Sequence, residues 1–243
     1  MRDWICGFFM AWGMFLAIPC PRKIWSESAR QKMLVCMPLV GLLAGGVWAG
    51  AWLLLRGAPG PVRAAVCAAV PWLVTGFMHL DGYMDVCDAV LSRRDLATRQ
   101  RILKDSHCGA FAVICMVLLA MGQWSLFLAA EDVSWLALLL IPAATRACAG
   151  LAVLGLRPMG TSQYAAMGPA RGGYGAALWV LLALSVGLPL WLDGSFGPLA
   201  AAVGYGLAVW YGFRNLDGMS GDISGFALTI GELCGCGAAI LWR

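Results

Sequence analysis

The sequence predicts an all-α protein: a polytopic integral membrane helical bundle of about seven transmembrane helices (six to eight). Three observations carry that expectation. Of the 243 residues 61% are hydrophobic and only 12% charged, with a mean hydropathy of +0.78, a balance that excludes an ordinary soluble globular domain. Apolar stretches of about 17 to 25 residues, long enough to cross a bilayer as helices, recur through nearly the whole chain. The polar intervals between them alternate between rich and poor in Lys and Arg, as in a chain threaded back and forth. No soluble module or internal repeat interrupts the pattern, so residues 1-243 read as a single transmembrane domain.

The first apolar stretch, Trp4 to Ile18, is short for a full crossing and reads as a tilted span or a re-entrant anchor. No small-residue cleavage site follows it, which argues against a secretory signal. A basic connection, Pro21 to Lys32, leads into a span from Met33 to Leu55. After a short loop, Val62 to Met78 reads as a span that runs into the longest polar interval of the chain, 79–108. Within that interval Ser92-Arg93-Arg94-Asp95 has capping-box-like chemistry, and Asp95 to Lys104 reads as a short surface helix. Further spans are expected over Gly109 to Ala130, Val133 to Leu156, Tyr174 to Leu192, Pro198 to Phe213 and Ile223 to Trp242. Counting the first segment gives about eight crossings, and treating it as re-entrant gives about seven.

The loops 21–32, 79–108, 157–173 and 214–222 fall on one side of such a bundle and hold twelve Lys or Arg residues, against four on the other side. By the positive-inside rule the first side is cytoplasmic. The same side receives the conspicuous acids, beginning with His79-Leu80-Asp81-Gly82-Tyr83-Met84-Asp85-Val86-Cys87-Asp88. In a helix Asp81, Asp85 and Asp88 stand at i, i+4 and i+7 and share one face. A solvated helix end balanced by Arg93 and Arg94 would explain such charge in part. Three acids on one stripe with no base among them point instead to a missing cation, and magnesium takes carboxylate and phosphate oxygens.

Two further segments belong with this stripe. Lys104-Asp105-Ser106-His107-Cys108-Gly109 closes the long interval, where capping and interface charge are the bland alternative. Gly218-Met219-Ser220-Gly221-Asp222-Ile223 is a glycine-rich turn entering the last span, where helix-start amides can hold phosphate and Asp222 can extend a metal cage. Inside the spans, Arg146 and Glu232 are costly charges and therefore functional candidates. Arg146 suits phosphate oxygens by its fork geometry, while pairing with Glu232 is the alternative.

Composition excludes several classes. The net charge of +4 is modest and the bases lie between apolar spans, so no nucleic-acid surface is expected. The ten cysteines are scattered without zinc spacing and read as small core residues. A cation-coupled transporter would place its acids near the bilayer midplane within inverted repeats, neither of which is visible.

The residues His79-Leu80-Asp81-Gly82 with Asp85 and Asp88, Arg99, Ile102-Leu103-Lys104-Asp105-Ser106 before Gly109-Ala110-Phe111, and Gly221-Asp222 with Gly225 and Glu232 resemble the cobalamin synthase family, the adenosylcobinamide-GDP ribazoletransferases. Phe15-Leu16 before Pro19, Arg146 and Arg157-Pro158 add to the resemblance, which spans nearly the whole chain. The family often has arginine where His107 stands, an aliphatic residue at Cys108, and Gly-Gly and Thr where this chain has Asp217-Gly218 and Ser220. The resemblance implies a bacterial inner-membrane transferase with its active site facing the cytoplasm. Its substrates would be adenosylcobinamide-GDP and α-ribazole or α-ribazole 5′-phosphate, its reaction the last step of nucleotide loop assembly, its products GMP and adenosylcobalamin or the 5′-phosphate. It also implies Mg2+ held by Asp81, Asp85, Asp88 and Asp222, and phosphate contacts from Arg93, Arg94, Arg99, Ser106, Arg146 and Gly221. Asp88, Asp105 and Lys104 are the candidate catalytic groups, with Asp88 favoured as base. The chemistry is similar to that of CDP-alcohol phosphotransferases, although Met84 and Asp85 stand where their Ala-Arg pair belongs. Partners are then the small-molecule substrates and the lipid bilayer, with no nucleic acid and with homo-oligomerisation left open.

Overall fold

The computed structural model describes residues 2–160, 162 and 172–242, so most of the predicted cytoplasmic loop 157–173, with its Arg171, lies outside the described residues. Among the described residues the chain forms ten α-helices and no strand. They are α1 (Arg2–Phe15), α2 (Arg30–Leu54), α3 (Gly60–Val74), α4 (Met78–Leu91), α5 (Leu96–Ile102), α6 (Ala110–Ala129), α7 (Trp135–Gly155), α8 (Tyr174–Leu192), α9 (Gly197–Leu216) and α10 (Gly221–Leu241). The bounds follow the hydropathy of the sequence to within a few residues for α2 and for α6 through α10.

Five helices, α2 (with the short turn Glu27–Ala29 before it), α6, α7, α8 and α10, are long and apolar enough to cross a membrane, and the bent pair α3–α4 makes a sixth when counted as one broken span. Five to six such spans are roughly consistent with the seven or so expected, and the 20-residue α9 packs along α10. The protein is therefore a multi-pass membrane protein. α2, α7 and α10 are mostly covered by their neighbours, whereas α6 and α8 leave most of their apolar surface uncovered, as helices facing lipid do. The core around α2 is built from Trp48 and Trp52, each within about 6 Å of the Phe127 ring, and the Trp48 indole N–H donates to the Cys67 carbonyl at 2.7 Å.

α1 has 14 residues, about 21 Å of helix, too short for a hydrocarbon core about 30 Å thick. Both its ends meet the same end of the bundle: Asp3 pairs with Lys32 at 2.7 Å beside the start of α2, and the Phe15 ring lies 6.4 Å from that of His79 at the start of α4.

Two local expectations need correction. Val62 to Met78 is not a straight span leading into a polar loop. α3 ends at Val74, the chain turns through Thr75–Phe77, and α4 leaves at 90°. Gly76 (φ +60°) and Phe77 (φ +63°) both adopt the left-handed conformation, and Thr75 donates its hydroxyl to the Pro71 carbonyl at 2.9 Å, closing α3. The acids thus sit on a second helix rather than in a loop, because Leu80, Tyr83, Val86, Cys87 and Val90 on its other face are apolar and find a core to fill. The second correction is the helix cap: Ser92 ends α4, and Asp95 alone caps α5, accepting from the Thr98 N–H at 3.0 Å and the Thr98 hydroxyl at 2.8 Å.

Candidate functional site

The loops predicted to share one side do converge, around a cavity of about 450 Å3. Its polar margin includes Asp81 at the start of α4, Lys104 after α5, and Ser220, Gly221 and Asp222 at the start of α10. The rest of the lining is largely apolar, with several methionines.

α4 and α10 cross at close range. A Cβ on Gly82 would stand 2.8 Å from the Asp222 carbonyl oxygen and 3.0 Å from its Cα, and one on Gly225 would stand 3.1 Å from the His79 carbonyl oxygen. Glycine at both positions lets the two backbones touch, and the Thr229 hydroxyl adds a hydrogen bond to the His79 carbonyl at 3.2 Å. The crossing sets Asp222 opposite the α4 stripe, so that Asp85 lies within the field of Asp81, Asp222 and Asp88. Ser220 caps α10 by accepting from the Ile223 N–H at 3.2 Å, and Asp222 in the first turn sits at the favourable end of the helix dipole.

The third acid of the stripe has a different environment. Both carboxylate oxygens of Asp88 are engaged by the start of α6: Oδ2 accepts from the Gly109 N–H at 2.5 Å and Oδ1 from the Ala112 N–H at 3.0 Å. Asp88 thereby supplies the side-chain cap that Gly109 cannot, tying α4 to α6. Asp81 and Asp222 border the cavity, while Asp85 and Asp88 lie further along α4. Among the described residues no three His, Cys, Asp or Glu side chains form a ready-made metal cage.

The remaining candidates divide. Lys104 and Gly221 border the cavity; Asp105, Ser106, Arg93 and Arg94 are exposed and lie outside its lining. Asp105 accepts from the His107 ring at 2.6 Å and from the His107 N–H at 3.0 Å, and these bonds hold its carboxyl below the usual carboxylate range. Arg99 donates to the Asn215 side chain at 2.9 Å, and the neighbouring Gln100 donates to the Leu216 carbonyl at 2.8 Å, docking α5 on the end of α9. Arg146 takes the alternative left open by the sequence: it is buried, ion-paired with Glu232 across α7 and α10, and donates also to the Thr145 hydroxyl at 3.2 Å and the Pro142 carbonyl at 3.3 Å. The preference for phosphate contact at Arg146 is not what this structure displays, because the matching carboxylate is one helix away. Asp217, where glycine is usual in the resembling family, adopts φ +59° and pairs with Arg157 at 2.5 Å.

Sequence reasoning gave no site role to Arg30, and it marked Phe15 only within the resemblance; both border the cavity. Arg30 reads in the sequence as one more base of a polar connection, and Phe15 carries no chemistry of its own; only the fold-back of α1 against α2 brings them here. His79, which opens the acid stretch and the resembling motif without an assigned role, is buried and also borders the cavity.

Comparison with known proteins places these features in context. A family model described as cobalamin-5-phosphate synthase matches residues 7–240. A protein of Clostridium botulinum (strain Alaska E43 / Type E3) named adenosylcobinamide-GDP ribazoletransferase is 32% identical, with 100% of each chain covered. A protein of the same name from Clostridium perfringens (strain 13 / Type A) is 33% identical over 93% of this chain and 94% of its own. Another of that name from Halalkalibacterium halodurans is 39% identical over 60% of this chain and 58% of its own. No solved structure matches the chain.

Proposed function

The chain belongs to the cobalamin-5-phosphate synthase family, and from that membership we propose that it joins adenosylcobinamide-GDP to α-ribazole or its 5′-phosphate, releasing GMP. The observation that carries this reading is the α4–α10 crossing, which sets Asp81 and Asp222 together on the margin of a cavity large enough for a nucleoside. A hydroxyl of the ribazole attacks the phosphorus bonded to the cobinamide side. The new P–O bond forms as the bridging P–O bond of the diphosphate breaks, and GMP leaves with that electron pair. The proton of the attacking hydroxyl passes to the carboxylate edge made by Asp81 and Asp222, to an oxygen that does not hold the ion.

The donor set fits magnesium by its chemistry: it consists of carboxylate oxygens only, with Asp81 and Asp222 near enough to act on Asp85, and magnesium characteristically adds substrate phosphate oxygens to such a set. Asp81, Asp85 and Asp222 would hold the ion, which when bound neutralises charge on the bridging and leaving oxygens. Asp88 acts by fixing α6, its oxygens being already committed to two amides. Lys104 and Arg30, the cationic side chains that border the cavity among the described residues, hold phosphate oxygens. The site faces the cytoplasm, because the loops that build it carry twelve of the seventeen Lys and Arg residues. The bilayer would be the inner membrane of a bacterium.

The test is GMP release by the purified protein in detergent, supplied with adenosylcobinamide-GDP, α-ribazole and magnesium. Release that depends on all three supports the reading. No release under conditions in which an established synthase turns over would overturn it.

A further inference from the structure

The cavity has two chemically distinct parts, and the reaction proposed above accounts for only one of them. Away from Asp81 and Asp222 the lining includes Phe15, Leu34, Met37 and Leu228, with the His79 ring tilted 33° to that of Phe15 at 6.4 Å. His79 is 7% exposed, and its Nε2 is buried without a hydrogen-bond partner. A buried polar atom in that state is costly and calls for a partner that arrives with a ligand. The lining also carries Met33 and Met37, unbranched and deformable side chains that can shift to admit a flat ligand.

We propose that this apolar part of the cavity seats the aromatic base of the acceptor riboside, with the unpartnered ring nitrogen of His79 donating to the one free ring nitrogen of that base. The inference rests on the transferase reading and assigns a substrate group within it. α-Ribazole is the riboside of a dimethylated benzimidazole: its base has two apolar faces, two methyl groups and a single ring nitrogen left to accept. A wall of Phe, Leu and Met beside the unpartnered His79 nitrogen matches that inventory. The guanine of the other substrate does not match, because its carbonyl, ring N–H and amino group would all lose water against side chains that offer nothing in return. The whole corrinoid does not fit a cavity of about 450 Å3. His79 is then a specificity-determining residue, and the base lies one helical turn or less from the carboxylates that meet the diphosphate, since His79 and Asp81 both belong to the first turn of α4.

The test uses the full-length protein in detergent and two measurements. First, free 5,6-dimethylbenzimidazole is added to the wild type as a probe. It should inhibit competitively against α-ribazole and not against adenosylcobinamide-GDP. Second, His79→Leu should raise KM for α-ribazole about tenfold, with KM for adenosylcobinamide-GDP within about twofold of wild type, as expected for one lost neutral hydrogen bond in a buried site. The same variant should no longer distinguish α-ribazole from a dimethylindole riboside, which lacks the free nitrogen and which the wild type should disfavour by a similar factor. Competition of the free base with adenosylcobinamide-GDP, or unchanged discrimination in the variant, would overturn the assignment. If His79→Leu does not insert or fold, the inhibition pattern of the wild type decides alone. Absence of GMP release by the wild type overturns the transferase reading itself, and is distinguishable because both measurements begin from an active wild type.

Discussion

The backbone of Asp222 occupies the space that any side chain at position 82 would need, a Cβ on Gly82 falling 2.8 Å from the Asp222 carbonyl oxygen. The acids of two helices about 140 residues apart in sequence are therefore brought together by what Gly82 lacks. Gly82→Ala should separate α4 from α10, reduce GMP release at least about a hundredfold, and destabilise the protein by about 1–3 kcal/mol. Gly122→Ala in α6, where an added Cβ meets nothing within 4 Å, is the control and should leave both unchanged. Thermal unfolding in detergent beside the activity assay checks both variants.

Asp85→Asn should give folded, membrane-inserted protein with little turnover, a loss of about 3–4 kcal/mol of transition-state stabilisation if one preorganised charge contact is removed. Chelation should abolish wild-type activity and added magnesium should restore it. Near-normal turnover by the variant removes Asp85 from the ion site.

Asp88 gives the opposite profile. Asp88→Ala removes both acceptors from the start of α6 and should lower stability by about 1–2 kcal/mol, with earlier amide exchange in the first turn of that helix. A variant that unfolds like the wild type yet has no activity would return Asp88 to the catalytic group.

The Arg146–Glu232 pair spans α7 and α10 in the interior. Glu232→Gln strands the guanidinium and should cost about 3–5 kcal/mol, whereas the double variant Arg146→Met with Glu232→Leu should recover most of that loss. Equal destabilisation by the single and double variants would show that the two residues do not act as a pair.

The sequence by itself determined the membrane class, the extent of α2 and of α6 through α10, the i, i+4, i+7 stripe, and the side of the bundle on which the chemistry gathers. Those features are legible because they depend on residues near one another in the chain: hydropathy sums over a window, helical periodicity assigns faces, and Lys and Arg accumulate in short loops. Only the tertiary structure decided that the stripe rides on a helix bent 90° from the preceding span, that Asp88 caps α6 while Asp81 and Asp222 border the cavity, and that Arg146 is matched by Glu232. An acid or base takes its role from the partner it meets, and here each partner comes from a distant helix whose approach is set by packing at Gly82 and Gly225.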